Sequence, residues 1–189
     1  MWYIGKNNVD IRTAITLVEA GSARSLELVK LPYNRSSLQP VLSASSLALH
    51  YDKLAQGYVD RYNKKEGDRP FNEAGAFLHN IYFAQFTSPK SPNRPSGPVS
   101  SLINRKYGDF NRFKEKMLTA AMSIQGSGWV YMAKNGEIKT IKNHQIKSDI
   151  ALLIDWWEHA WVTDYGSNKV KYFNNIWRII NWNAVNHRL

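Results

Sequence analysis

The sequence predicts an α+β fold, with an antiparallel helical hairpin followed by an α/β layer that holds a small antiparallel sheet of about three strands. Three observations predict it. Two stretches with apolar residues at helical spacing are separated only by a short polar loop. Four of the seven prolines then fall between Thr87 and Ser101. Beyond them the pattern changes to helix, hairpin, strand and helix. A chain of 189 residues is long enough to bury a real core in one compact, two-layered unit. The expected division is an N-terminal extension of unassigned role (1–30), a helical hairpin (31–88), a Pro-rich linker (89–101) and an α/β domain (102–189).

Each element has a local reason. Ser25-Leu26-Glu27-Leu28-Val29 alternates as a strand does. Pro32 and Pro40 bracket a loop, after which Ser43 can cap a helix running to about Asn63. Leu47, His50, Leu54 and Tyr58 share one face of that helix, and Lys64-Lys65-Glu66-Gly67-Asp68-Arg69-Pro70 breaks it. A second helix is expected from Asn72 to Phe86, with Gly75, His79, Tyr82 and Phe83 on one face. Pro89, Pro92, Pro95 and Pro98 exclude a helix or inner strand across Thr87–Ser101. Phe110–Ile124 reads as a helix. Gly128–Lys134 and Glu137–Lys142 flank Asn135-Gly136, the signature of a type I′ hairpin. Ala151–Trp157 reads as a buried strand, and a last helix brings Phe173, Ile176, Trp177, Ile180 and Ala184 into phase. There is no internal repeat and no nucleotide-binding glycine loop.

Composition excludes several chemistries. With no cysteine there is no disulfide scaffold, thiolate metal site or thiol nucleophile. Any metal must be held by His, Asp, Glu or backbone oxygen. No run approaches the ~20 apolar residues that a membrane helix needs. Residues 1–30 lack a secretory pattern, and Asp10, Glu19 and Glu27 argue against a transit peptide, so the expected location is intracellular, in the cytoplasm. The formal net charge is +10, of which +1 lies in residues 1–31 and +9 in the body. Such a field draws in anions, either a small anionic substrate or nucleic acid; a merely solvated basic surface is the plainer reading.

Function shows at the histidines. There are five, of which His50 and His79 sit in the middle of apolar faces of what should be facing helices, and His159 follows Asp155 by four residues. A lone histidine on an apolar face is usually a satisfied core residue. Two facing histidines together with an Asp and a His at a strand end are harder to dismiss, because a metal pairs all of these buried polar groups at once. Imidazoles with one carboxylate suit iron, manganese or zinc.

Leu31-Pro32-Tyr33, the His50–Tyr58 helix, Gly126-Ser127-Gly128-Trp129 and Asp155-Trp156-Trp157-Glu158-His159-Ala160 resemble the iron/manganese superoxide dismutase family, in the family's order and near its spacing, over residues 31–189. The resemblance implies one Fe or Mn ion per chain, held by His50, His79, Asp155 and His159, and superoxide as substrate. It implies a gateway tyrosine at Tyr58, tryptophans lining the metal pocket at Trp129 and Trp157, and a homodimer in which Glu158 reaches the partner's ligand histidine. The side chain that orients metal-bound solvent is assigned to His144, with Gln145 as the fallback, because the family's other position for that group matches Gly75, which has no side chain. Zinc would be inert in this chemistry, having no accessible redox step.

Two positions depart from the family. Its gateway histidine matches Leu54, and the tyrosine that histidine bonds across the dimer matches Val162, so both partners of one hydrogen bond are aliphatic and an apolar dimer contact can replace it. These departures, the first 30 residues and the basic surface leave an alternative: a dismutase-like structural subunit of a larger assembly, with little or no activity, contacting nucleic acid or acidic partners.

Overall fold

The computed structural model describes residues 25–189. The first 24 residues of the expected extension therefore lie outside the described part. Helix α1 is one continuous rod in three pieces: an α-helical turn, Ala44–Leu47, a π-helical stretch, Ala48–Ala55, and an α-helix, Gln56–Lys64. The Ser43 hydroxyl caps it by accepting from Ser46 N–H, and Lys65 ends it in the left-handed conformation at φ 59°. Helix α2, Arg69–Ala84, begins three residues earlier than the sequence suggests. Pro70 sits in the first turn, where its missing N–H costs nothing, and the Asp68 carboxylate caps the helix through Phe71 N–H.

The segment 25–30 forms no strand, although its alternation is real and Leu26 is buried. Its backbone is paired by side-chain carboxamides of the two helices instead. Asn63 Oδ1 accepts from Leu26 N–H (2.8 Å) while its Nδ2 donates to Leu26 C=O (2.9 Å). Asn80 does the same for Val29 N–H (2.7 Å) and Glu27 C=O (3.0 Å). An amide presents a donor and an acceptor side by side, as a neighbouring strand would.

The proline-rich stretch is irregular up to Gly97, but Pro98 then opens helix α3, Pro98–Tyr107, so residues 98–101 are helical. Proline at the first helical position is preorganised for the turn. Helix α4 runs from Phe110 to Met122 under an Asp109 cap. Strands β1 (Gly128–Ala133), β2 (Ile138–Lys142) and β3 (Ile150–Asp155) form an antiparallel sheet in the order β2-β1-β3. β1 and β3 are buried throughout.

The β1–β2 turn differs from the type I′ expectation. Gly136 alone has positive φ, at 83°, while Gly136 N–H bonds Ala133 C=O and Ala133 N–H bonds Glu137 C=O. That is a three-residue loop, a type I turn with a left-handed bulge residue. Gly136 lies against Leu102 and Lys106, where an added Cβ would come within 2.9 Å of each, and its carbonyl accepts from Tyr107 Oη at 2.7 Å. Packing on α3 thus selects the turn.

Short helices complete the chain: α5 (Val162–Tyr165), α6 (Lys169–Ile176) and α7 (Trp182–Asn186). The expected single last helix is broken at Ile180 and Asn181, because the Asn181 side chain caps a new helix through Asn183 N–H. One core runs without interruption from the helical hairpin into both faces of the sheet. Among the described residues no helix is long and apolar enough to cross a membrane.

Candidate metal centre

Four elements bring four side chains to one point. His50 comes from the π-helical part of α1, His79 from the middle of α2, Asp155 from the last position of β3, and His159 from the 3-10 turn Glu158–Ala160. π-Helical turns inside α-helices recur at functional sites. Asp155 Oδ2 lies 3.1 Å from His50 Nε2, 3.4 Å from His159 Nε2 and 3.8 Å from His79 Nε2. One ligand atom from each residue falls within 4.8 Å of all the others.

The surroundings fix which atoms face inward. His79 Nδ1–H donates to Gly75 C=O one helical turn earlier, at 2.7 Å, which leaves the lone pair on Nε2. Asp155 Oδ1 accepts from Trp157 N–H at 2.7 Å, and its backbone carbonyl accepts from Tyr172 Oη at 3.1 Å. Tyr172 is in turn bonded to Tyr82 Oη at 3.0 Å. Sequence reading missed this tyrosine pair as a support of the site; the signal was Tyr82 three residues after His79 on the same helix face.

His50 and His79 are fully buried, and burial lowers the pKa of both, aided at His79 by neighbouring His50. Burial alone would raise the Asp155 carboxyl, but its contacts with His159 and His50 outweigh that and hold it below the ordinary carboxylate range. The four converging atoms, His50 Nε2, His79 Nε2, His159 Nε2 and Asp155 Oδ2, are all buried without a hydrogen-bond partner. Four orphaned polar atoms aimed at one point are costly unless a cation joins them. Three imidazole nitrogens and a carboxylate oxygen form a donor set that fits a divalent or trivalent transition metal.

A second layer surrounds these four. Trp129 stands opposite Asp155 in the β1–β3 register, and its ring meets the His79 ring edge-on at 5.0 Å. Trp129 Nε1–H donates to His144 Nδ1 (3.1 Å), and His144 Nε2 lies 2.9 Å from Tyr58 Oη. Trp157 stacks on His144 with ring centroids 4.5 Å apart, and on His159 at 5.8 Å. Phe71, unmarked in the sequence reading, closes over His144 at 4.7 Å. Tyr58 packs flat on Gly75, whose lack of a side chain lets the ring approach. Burial raises the Tyr58 hydroxyl to about 12 and lowers His144 to about 4, so each is neutral near pH 7. Gln145 is exposed beside His144 on the wall of a surface cavity. Glu158 and Val162 are exposed on the single chain and Leu54 is half-buried.

Family comparison agrees with this geometry. The profile described as "Iron/manganese superoxide dismutases, alpha-hairpin domain" matches residues 25–70, and its C-terminal-domain counterpart matches residues 95–188. The "Superoxide dismutase [Fe]" of Bacteroides fragilis is 32% identical over 190 residues, covering 86% of this chain and 98% of that protein. The "Superoxide dismutase [Mn/Fe]" of Porphyromonas gingivalis is 32% identical over 188 residues, again covering 86% and 98%. The "Superoxide dismutase [Fe]" of Pyrobaculum aerophilum is 30% identical over 191 residues, covering 86% and 90%. With both of the family's domains matched and relatives aligned over nearly their whole length, this chain belongs to the iron/manganese superoxide dismutase family.

Proposed function

We propose that this chain disproportionates superoxide to oxygen and hydrogen peroxide at one iron or manganese ion held by His50, His79, Asp155 and His159. The observation that carries this reading is the convergence of four buried, unpartnered ligand atoms within 4.8 Å. Bound there, a redox-active ion supplies the one-electron steps in both directions that disproportionation needs and zinc lacks. The reaction turns two superoxide anions and two protons into one molecule each of oxygen and hydrogen peroxide.

The chain's own residues do the rest. His79 presents a bare Nε2 because its Nδ1–H is committed to the Gly75 carbonyl, burial disfavours the charged form of both His50 and His79, and ionised Asp155 supplies one negative charge. Tyr58 Oη holds a proton beside the ligand histidines, its ring 5.4 Å from that of His79. Trp129, Trp157 and Phe71 wall the site against water, and His144 holds the Tyr58 hydroxyl in place. Glu158, Leu54 and Val162 form a homodimer contact in this reading, supported by the exposure of Glu158 and of an aliphatic Val162 on the single chain. A structural subunit without a metal is the weaker reading, because leaving four buried polar atoms unpaired serves no packing purpose.

Elemental mass spectrometry of the purified, unsupplemented chain, followed by a dismutase assay, tests this. The expected result is close to equimolar iron or manganese, lost in His79→Ala together with activity. No metal, persisting after refolding with each ion, would refute the enzyme in favour of the structural subunit.

A further inference from the structure

Trp129, His144 and Tyr58 form a hydrogen-bonded chain whose direction can be read from its first member. An indole N–H only donates, so the bond from Trp129 Nε1 requires a bare lone pair on His144 Nδ1. A neutral imidazole carries one proton, and with Nδ1 bare that proton sits on Nε2. His144 is neutral because an imidazolium carries a proton on both nitrogens and would leave no lone pair for Trp129 Nε1–H. The 2.9 Å contact with Tyr58 is therefore donated by His144 Nε2–H and accepted by Tyr58 Oη. Tyr58 Oη has no other hydrogen-bond partner among the described residues, so its own hydrogen is uncommitted.

We propose that Trp129 is a positioning residue that sets the polarity of this chain: it locks His144 as the Nε2–H tautomer, which turns the Tyr58 hydroxyl hydrogen away from His144 and makes Tyr58 the hydrogen-bond donor offered to a molecule bound beside the four ligands. Both nitrogens of His144 are then engaged, and an imidazole, unlike a carboxamide, has no second N–H to offer. His144 reaches such a molecule only through Tyr58, which revises the solvent-orienting contact expected of it from the sequence. If the chain ran the other way, Tyr58 would donate to His144 and the site would have no donor from this group. The functional consequence rests on the dismutase reading; the tautomer does not.

Long-range 1H–15N correlation spectra of the full chain, metal-free and zinc-loaded (both diamagnetic), test the proposal. The expected spectrum shows a pyridine-type Nδ1 and a pyrrole-type Nε2 for His144, with a 15N–15N coupling between Trp129 Nε1 and His144 Nδ1. A proton on Nδ1, or no such coupling, would overturn the lock even if no variant folds. Trp129→Phe should lose the single-tautomer signature and show Nδ1–H, and its turnover should fall toward that of Tyr58→Phe with metal content kept. An unchanged Nε2–H tautomer in Trp129→Phe would show that Tyr58 sets it instead. In His144→Gln, whose Oε1 can accept from Trp129 while Nε2 donates to Tyr58, the Trp129 Nε1–H signal should keep the downfield shift and slow exchange of a hydrogen-bonded indole; a free indole N–H there would also overturn the lock. A chain that takes up no metal would sink the dismutase reading while the metal-free spectrum still decides the tautomer.

Discussion

Gly75→Ala tests how tightly the second layer is built. An alanine Cβ at this point of α2 would lie 2.8 Å from Tyr58 Cγ, 2.9 Å from Cδ1 and 3.0 Å from Cδ2. Carbon atoms rest at about 3.5 Å or more, so the ring must retreat by roughly 0.7 Å. That retreat pulls on the 2.9 Å contact between Tyr58 Oη and His144 and stretches it toward its limit. Overpacking of this kind costs about 1–3 kcal/mol, while alanine in place of glycine inside a helix returns about 1 kcal/mol. The expected net loss is about 0–2 kcal/mol, and for a chain of this size each kcal/mol moves Tm by roughly 2–4 °C. Thermal and urea unfolding of the metal-free chain measures it. His79 is anchored on the Gly75 carbonyl, a main-chain atom, so metal uptake should survive. A rise in Tm by the full helix-propensity gain, with the Tyr58–His144 contact intact, would refute the claim that Tyr58 is pinned on Gly75.

Other outcomes follow from the same geometry. Tyr58→Phe should keep equimolar metal yet slow turnover by roughly 100-fold, the low end of what a positioned proton donor contributes; unchanged turnover would remove Tyr58 from the mechanism. The metal-free chain should lose stability as pH falls from 6.5 toward 4, because His144 binds a proton in the unfolded chain over that window and not in the folded one. Its share is about 3 kcal/mol, buried His50 and His79 act in the same direction, and a urea midpoint flat over that range would contradict it. Asn80→Ala removes the partner of Val29 N–H and Glu27 C=O, so it should cost about 1–3 kcal/mol and open residues 25–31 to proteolysis; an unchanged cleavage rate would show that the amide does not hold the segment.

Much of the architecture is legible because its causes are local. Ser43 caps a helix whichever core it later joins, and Asp155 with His159 at i+4 brings two ligands to the end of one strand. The helical faces of His50 and His79 follow from apolar spacing alone. What the sequence hides has non-local causes. Across the π-helical winding at Ala48–Ala55 the buried positions are His50 and Ala55, whereas α-helical spacing puts Leu54, which is only half-buried, on the inner face with His50. Helix α3 is masked because Pro98 looks like more of the linker, and only its place at the first helical turn reverses that meaning. The alternation at 25–29 is legible, but not that its partners are the side chains of Asn63 and Asn80. His144 could be placed near the site only by resemblance, since its contacts with Trp129 and Tyr58 span 15 and 86 residues.

Gln85 uses the same carboxamide device where it matters most for the molecule's life outside the test tube. β3 is an edge of the sheet, it is apolar from Ile150 to Ile154, and it ends in the ligand Asp155. Gln85 Oε1 accepts from Leu153 N–H at 3.2 Å, and its Nε2 donates to Leu153 C=O. One side chain thus occupies the pairing positions that an incoming strand would need, two residues before the ligand. An uncovered apolar edge is a template for association between chains. None of the four ligands takes part in the Gln85 contact, so the chain closes this edge with its own side chain and not through the ion.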